Sequence, residues 1–97
     1  MSLSMKTPKE VSLEIAARLK AKRLSQNLTQ TGLATRAGMS TPSLKRFEKT
    51  GEISFVSLLN IALVLDCLDE CDKLFVNTKP VSLFIKEPKI RKRGRLK

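Results

Sequence analysis

Histidine, tryptophan and tyrosine are absent from this chain of 97 residues, and only two cysteines are present. The cysteines, Cys67 and Cys71, are four residues apart, and without histidine they cannot complete a tetrahedral zinc site. The sequence also has no glycine-rich phosphate loop and no carboxylate pair placed for catalysis. We therefore expect two reduced thiols acting as small hydrophobic residues, no metal, no cofactor and no enzymatic activity.

Long apolar runs are missing as well. No stretch approaches the roughly 18 apolar residues that a membrane span requires. Residues 1–6 (MSLSMK) lack the apolar segment of a signal peptide, and Met5 is a second possible start that would make residues 1–4 an addition. These absences predict a cytoplasmic protein that does not enter a membrane.

Aromatic residues make up only 4% of the chain, although 41% of its residues are hydrophobic. A small domain with so few aromatics must build its core from leucine, isoleucine, valine and alanine, which helices pack readily. The length allows one compact domain with short appendages. We expect an all-α fold.

Positive charge is abundant and unevenly placed. The 19 Lys and Arg outnumber the 9 Asp and Glu, giving a net charge of +10. Residues 18–49 carry eight Lys or Arg against one Glu, and residues 79–97 again carry eight against one, whereas residues 50–76 carry one Lys against five acids. Positive charge concentrated in two segments indicates a polyanionic partner, namely DNA, RNA or an anionic membrane. A charge that served only solubility would be spread evenly over the surface.

Five helices are predicted, at about residues 11–25, 30–37, 41–49, 55–65 and 69–75. Thr29, Ser40 and Ser54 are N-cap residues, and Gly38 and Gly51 end the second and third helices. The fourth helix is apolar on almost every side, which predicts burial on several sides and a self-association surface.

The first helix carries an unusual arginine. At 100° per residue, Val11, Ile15, Ala16 and Leu19 fall within one arc, and Arg23 falls in the same arc. An arginine on an apolar face requires an acidic partner.

The second and third helices, joined by a tight glycine turn, are typical of a helix-turn-helix. The second helix of such a unit enters the DNA major groove. Thr41, Pro42 and Arg46 face outward, and we expect them to contact bases. Arg46 can pair with a guanine through two hydrogen bonds, Thr41 can bond a base or touch a thymine methyl, and Pro42 offers apolar contact.

Phosphate contacts are expected from Gln30, Ser43, Lys45 and Lys49, together with the amides at the helix starts. For Lys45 and Lys49, plain solvation is an equally good interpretation.

Residues 28–40 (LTQTGLATRAGMS), followed by residues 44–51 (LKRFEKTG), resemble the Cro/phage-repressor helix-turn-helix family, also called the XRE family. The resemblance covers about residues 11–68. It implies a five-helix, lambda-repressor-like DNA-binding domain, usually a dimer. It also implies that Gln30 clamps a phosphate and that an arginine of the first helix, here Arg23, pairs with a glutamate ending the third, here Glu48.

The resemblance has two departures. Thr31 and Gly32 replace the usual acidic residue early in the second helix, and Pro42 replaces a side chain that often hydrogen-bonds a base. Both departures make the DNA sequence of the operator harder to predict, although neither argues against DNA binding.

Residues 53–66 (ISFVSLLNIALVLD), Leu74, Phe75 and the basic tail look like the HipB-type regulators of toxin–antitoxin operons. That resemblance implies a bacterial dimer that represses its own operon and binds a HipA-like kinase toxin. We therefore expect a sequence-specific repressor located at the nucleoid when bound to DNA. Two alternatives stay open: an antitoxin module whose main role is toxin binding, and non-specific binding of nucleic acid or membrane through the tail.

The chain is divided into an N-terminal arm at 1–10, a helix-turn-helix domain at 11–76 and a C-terminal extension at 77–97. Within the extension, residues 81–85 (VSLFI) predict a short strand or a brief helix. Residues 88–97 form a basic tail that can reach into a minor groove.

Overall fold

The computed structural model describes residues 6–77, which form five α-helices and no strand. The helices are α1 (Pro8–Ser25), α2 (Gln30–Ala37), α3 (Thr41–Thr50), α4 (Phe55–Val64) and α5 (Leu68–Asp72). The predicted all-α, five-helix class is confirmed. Residues 81–85 and the basic tail at 88–97 lie outside the described residues, and the division into arm, domain and extension stays a prediction.

Helix α1 begins at Pro8, three residues before the apolar periodicity predicts. Thr7 is its N-cap: the Thr7 hydroxyl accepts from the Glu10 amide at 3.1 Å, and the Thr7 amide donates to the Glu10 carboxylate at 2.8 Å. This reciprocal capping box satisfies two amides that lack helical partners, with proline in the first turn where it costs no hydrogen bond.

The remaining helix starts follow the predicted caps. The hydroxyls of Thr29, Ser40 and Ser54 each accept a hydrogen bond from the amide three residues later. Helix α5 has no side-chain cap. It occupies residues 68–72, so the predicted range of 69–75 is wrong. Phe75 has a φ of 62°, a left-handed conformation that a helix cannot contain.

The core lies between α1, α2, α3 and α4. Its largest fully buried side chains are Phe47, Leu33, Leu44, Ile61 and Leu65. Helix α1 packs on α3, α2 packs on both α3 and α4, and α5 packs on α4. Of the apolar arc predicted on α1, Ala16 and Leu19 are buried, whereas Val11 is 40% exposed. Val11 lies in the first turn of α1.

Helix α4 is buried on one side rather than on several. Ile61 and Ala62 are buried, but Phe55, Val56 and Leu63 are each more than half exposed. The helix thus gives one face to the core and leaves a second apolar face uncovered. Among the described residues, none of the helices combines the length and apolarity needed to cross a membrane.

Candidate nucleic-acid interface

A tight left-handed turn fixes α3 against α2. Gly38 has a φ of 72° and ends α2, and the Met39 amide donates to the Ala34 carbonyl at 3.0 Å. Ser40 then caps α3, so only three residues separate the two helices. Met39 packs against the core, and this holds the turn in place. The two helices form the helix-turn-helix geometry that the sequence predicts.

The outer side of α3 is polar and positively charged. Leu44 and Phe47 are 1% and 2% exposed and anchor the inner side. At 100° per residue, the opposite side carries four exposed side chains: Pro42, Lys45, Arg46 and Lys49. A single helix has the width that a major groove admits. This side can therefore lie along the floor of a groove without disturbing the core.

Thr41 and Ser43 lie beside this outer side, in the first turn of α3. The Thr41 hydroxyl is half-buried and lies 3.5 Å from the Thr31 hydroxyl of α2. Ser43 is exposed, and its hydroxyl accepts a hydrogen bond of 2.8 Å from Ser40. The start of α3 therefore presents two hydroxyls held in place by their neighbours.

Lys45 and Lys49 extend from the middle and the end of the same side. Neither forms an ion pair with another residue of the range 6–77. Their ammonium groups are exposed and available to neutralise phosphates of a bound polyanion.

Arg46 is already engaged within the chain. One of its terminal guanidinium nitrogens donates to the Glu52 carboxylate, in the loop between α3 and α4. Sequence reasoning did not predict this pair, because the two residues are six apart across the Gly51 turn. That spacing matches neither a helix nor a strand.

Glu48 accepts three hydrogen bonds beneath the interface. The Arg23 Nε and Nη2 atoms donate to its two oxygens at 2.8 and 3.2 Å, and the Gln30 amide nitrogen donates at 2.8 Å. Arg23 also donates to the Leu28 carbonyl at 2.8 Å. The side chains of Arg23 and Glu48 are only 7% and 6% exposed, and these hydrogen bonds offset the desolvation of their charges.

This network determines where Gln30 lies. Gln30 is the first residue of α2, and its side chain is half-buried against Glu48 of α3. An amide nitrogen has two hydrogens, and the bond to Glu48 uses one of them. Gln30 thus joins the buried ion pair to the edge of the exposed surface.

Elsewhere within residues 6–77, two ionisable groups have shifted pKa values. The hydrogen bond from Lys6 lowers the pKa of the exposed Glu14 carboxyl, and burial raises the pKa of the Cys67 thiol. Cys67 and Cys71 are both free thiols. Within residues 6–77, no group of three or more His, Cys, Asp or Glu is arranged to hold a metal.

A comparison with known families finds that the family model described as Helix-turn-helix matches residues 19–69. The match begins in α1, spans the turn at Gly38 and ends in α5, and it covers more than half of the chain. No curated protein matches the chain.

Proposed function

The chain belongs to the XRE-type helix-turn-helix family and is a DNA-binding regulator, and from that premise we propose that it is a sequence-specific repressor of its own operon. The domain type is regulatory rather than catalytic. The observation that carries the proposal is the outer side of α3, which is exposed, basic and free of any role in the core.

The proposed roles follow from position on this surface. Thr41, Pro42 and Arg46 contact base edges, with Arg46 reading a guanine. The phosphate contacts are made by Gln30, Ser43, Lys45 and Lys49. Base edges supply specificity, and phosphates supply affinity and register.

We further propose that the regulator is a dimer. The exposed apolar face of α4 includes Val56 and Leu63, which are 65% and 61% exposed and lie on the same side at helical spacing. Exposed apolar surface on one side of a helix supports association with a second copy of the chain. A twofold dimer would place two copies of α3 in successive major grooves, about 34 Å apart.

The HipB-type subfamily and its HipA-like kinase partner are proposed from the resemblance of residues 53–66 and Leu74–Phe75 to those regulators. One structural observation favours a protein partner. Asp66, Asp69, Glu70 and Asp72 are exposed around α5, giving an acidic surface unsuited to DNA. The alternative function, an antitoxin module whose main role is toxin binding, depends on this surface. Either role places the protein in the bacterial cytoplasm, at the nucleoid when DNA is bound.

Footprinting tests the proposal directly. The full chain is incubated with the DNA upstream of its own gene, with and without excess shuffled duplex of the same composition. We expect a protected segment with two half-sites that survives the competitor. If the shuffled competitor removes the protection, the chain binds both DNAs alike. That result would contradict sequence-specific repression. Co-purification with a kinase from the native operon, without any protected DNA, would favour the antitoxin alternative.

A further inference from the structure

A hydrogen-bonded turn at residues 50–52 holds Glu52 next to Arg46. The Thr50 hydroxyl donates to the Arg46 carbonyl at 2.7 Å and accepts from the Glu52 amide at 3.1 Å. Gly51, between them, is buried, has a φ of 79° and donates its amide to the Phe47 carbonyl at 2.7 Å. The backbones of Arg46 and Glu52 are therefore tied together independently of their side chains.

From this geometry we propose that Glu52 is a specificity-determining residue, which restrains Arg46 from binding phosphates and keeps it directed to base edges. The inference rests on the proposed function, since it concerns how the same surface distinguishes an operator from other DNA. Glu52 does not touch a base in this proposal. It is a positioning residue that acts through Arg46.

The chemistry of the guanidinium explains the selectivity. Arginine has five N–H donors, and the contact with Glu52 is made through Nη2, so other donors remain for the two acceptors of a guanine. A phosphate carries a charge of the same sign as the Glu52 carboxylate, and an arginine that moves to a phosphate must leave its partner. The carboxylate thus penalises phosphate binding by Arg46 more than guanine binding.

The size of the effect follows from counterion release. Non-specific binding arises almost entirely from phosphates, and each contact contributes about 0.9 to the slope of log affinity against log salt. With Glu52→Gln, Arg46 becomes available as one more phosphate contact on random DNA. We expect affinity for a shuffled duplex to rise about threefold and its salt slope to steepen by about 0.9. Affinity for the operator changes less, so the ratio of the two affinities falls.

Asp66→Asn is the matched control. It also removes one carboxylate charge, and asparagine tolerates the left-handed backbone of Asp66, whose φ is 64°. Glu52 precedes α4 and Asp66 follows it, so a helix of ten residues, about 15 Å long, separates the two positions. Both Glu52 and Arg46 side chains are more than half exposed, so losing their pair has little effect on folding.

The experiment measures affinities for two probes over a range of salt concentrations: a duplex enriched from a random library by the wild-type chain, and a shuffled duplex. Four further proteins are compared with wild type: Glu52→Gln, Asp66→Asn, Arg46→Ala, and the double variant Arg46→Ala/Glu52→Gln. We expect the threefold gain on shuffled DNA in the first variant alone, because without Arg46 the carboxylate has nothing to restrain.

The outcomes separate the two proposals. If the wild-type chain enriches no duplex over shuffled DNA, the proposed function fails. If it discriminates but Glu52→Gln leaves the affinity ratio unchanged, the inference about Glu52 is overturned and the function stands. An equal gain in Asp66→Asn, or in the Arg46→Ala background, would also overturn it, since the charge of Glu52 would then act generally rather than through Arg46.

Discussion

Arg23 and Glu48 form a buried ion pair that joins α1 to the end of α3, with 2.8 Å between Arg23 Nε and a carboxylate oxygen. The same carboxylate accepts from Gln30 at the start of α2. Three helices therefore meet at one charged side chain, directly below the surface proposed to contact DNA. Its hydrogen bonds to Arg23 and Gln30 link α3 to both α1 and α2.

We expect Glu48→Ala to reduce the free energy of unfolding by about 3–5 kcal/mol, because it leaves the Arg23 charge buried without its partner. Urea unfolding followed by circular dichroism measures the change. Glu70→Ala is the control, since its ion pair with Lys22 is 3.8 Å long and exposed, and such pairs contribute at most about 1 kcal/mol. Equal losses in both variants would show that the buried pair has no special role.

Arg46→Ala is expected to weaken binding to the operator by about 1–3 kcal/mol more than binding to shuffled DNA, since a base contact is lost. Lys49→Ala is the comparison on the same helix. As a phosphate contact, it should weaken both complexes equally and lower the salt slope by about 0.9. Fluorescence anisotropy titrations at several salt concentrations measure both effects. Equal losses on the two duplexes for Arg46→Ala would refute its role in base reading.

Gly51→Ala is expected to destabilise the domain more than Gly38→Ala. Both glycines have positive φ, so both variants incur the strain of a left-handed alanine, about 1 kcal/mol or more. A Cβ at position 51 would also lie 2.9 Å from the backbone of Ser12, whereas a Cβ at position 38 meets nothing within 4 Å. Thermal unfolding should rank the variants in that order. The reverse order would mean that α1 does not approach the turn as described.

Leu63→Glu is expected to convert the proposed dimer into a monomer, because it places a charge in the apolar face of α4. Sedimentation velocity measures the mass, and far-UV circular dichroism verifies that the helices remain. Leu24→Glu, on α1, is the control at similar exposure, 56% against 61% for Leu63. A monomeric wild-type protein would contradict the proposed dimer, and a Leu63→Glu dimer of unchanged affinity would place association elsewhere.

The ends of the helices in the helix-turn-helix could be predicted from the sequence, because capping depends on neighbouring residues. Thr29, Ser40 and Ser54 begin their helices, and Gly38 and Gly51 end theirs, because each acts on backbone groups within a few residues of itself. Such local effects are visible in a linear sequence. The inner and outer sides of α3 are equally predictable, since helical periodicity alone separates Leu44 and Phe47 from the basic residues.

Features that depend on tertiary packing were not predictable in the same way. The contact of Arg46 with Glu52 requires the direction of the loop after α3, which no periodicity encodes. The number of sides of α4 that are buried depends on how many helices surround it: the sequence predicted burial on several sides together with a self-association surface, and the fold buries one side. Helix α5 ends early because Phe75 takes a left-handed backbone, and phenylalanine rarely adopts one.

The outer side of α3 contributes no side chain to the core, so its residues are free to diverge. Under the proposed roles, replacing Pro42 or Arg46 would change the base contacts, whereas Leu44 and Phe47 would stay buried in the core. If the chain is the sequence-specific repressor proposed above, a few substitutions on this surface would therefore change the operator that it binds without disturbing the core.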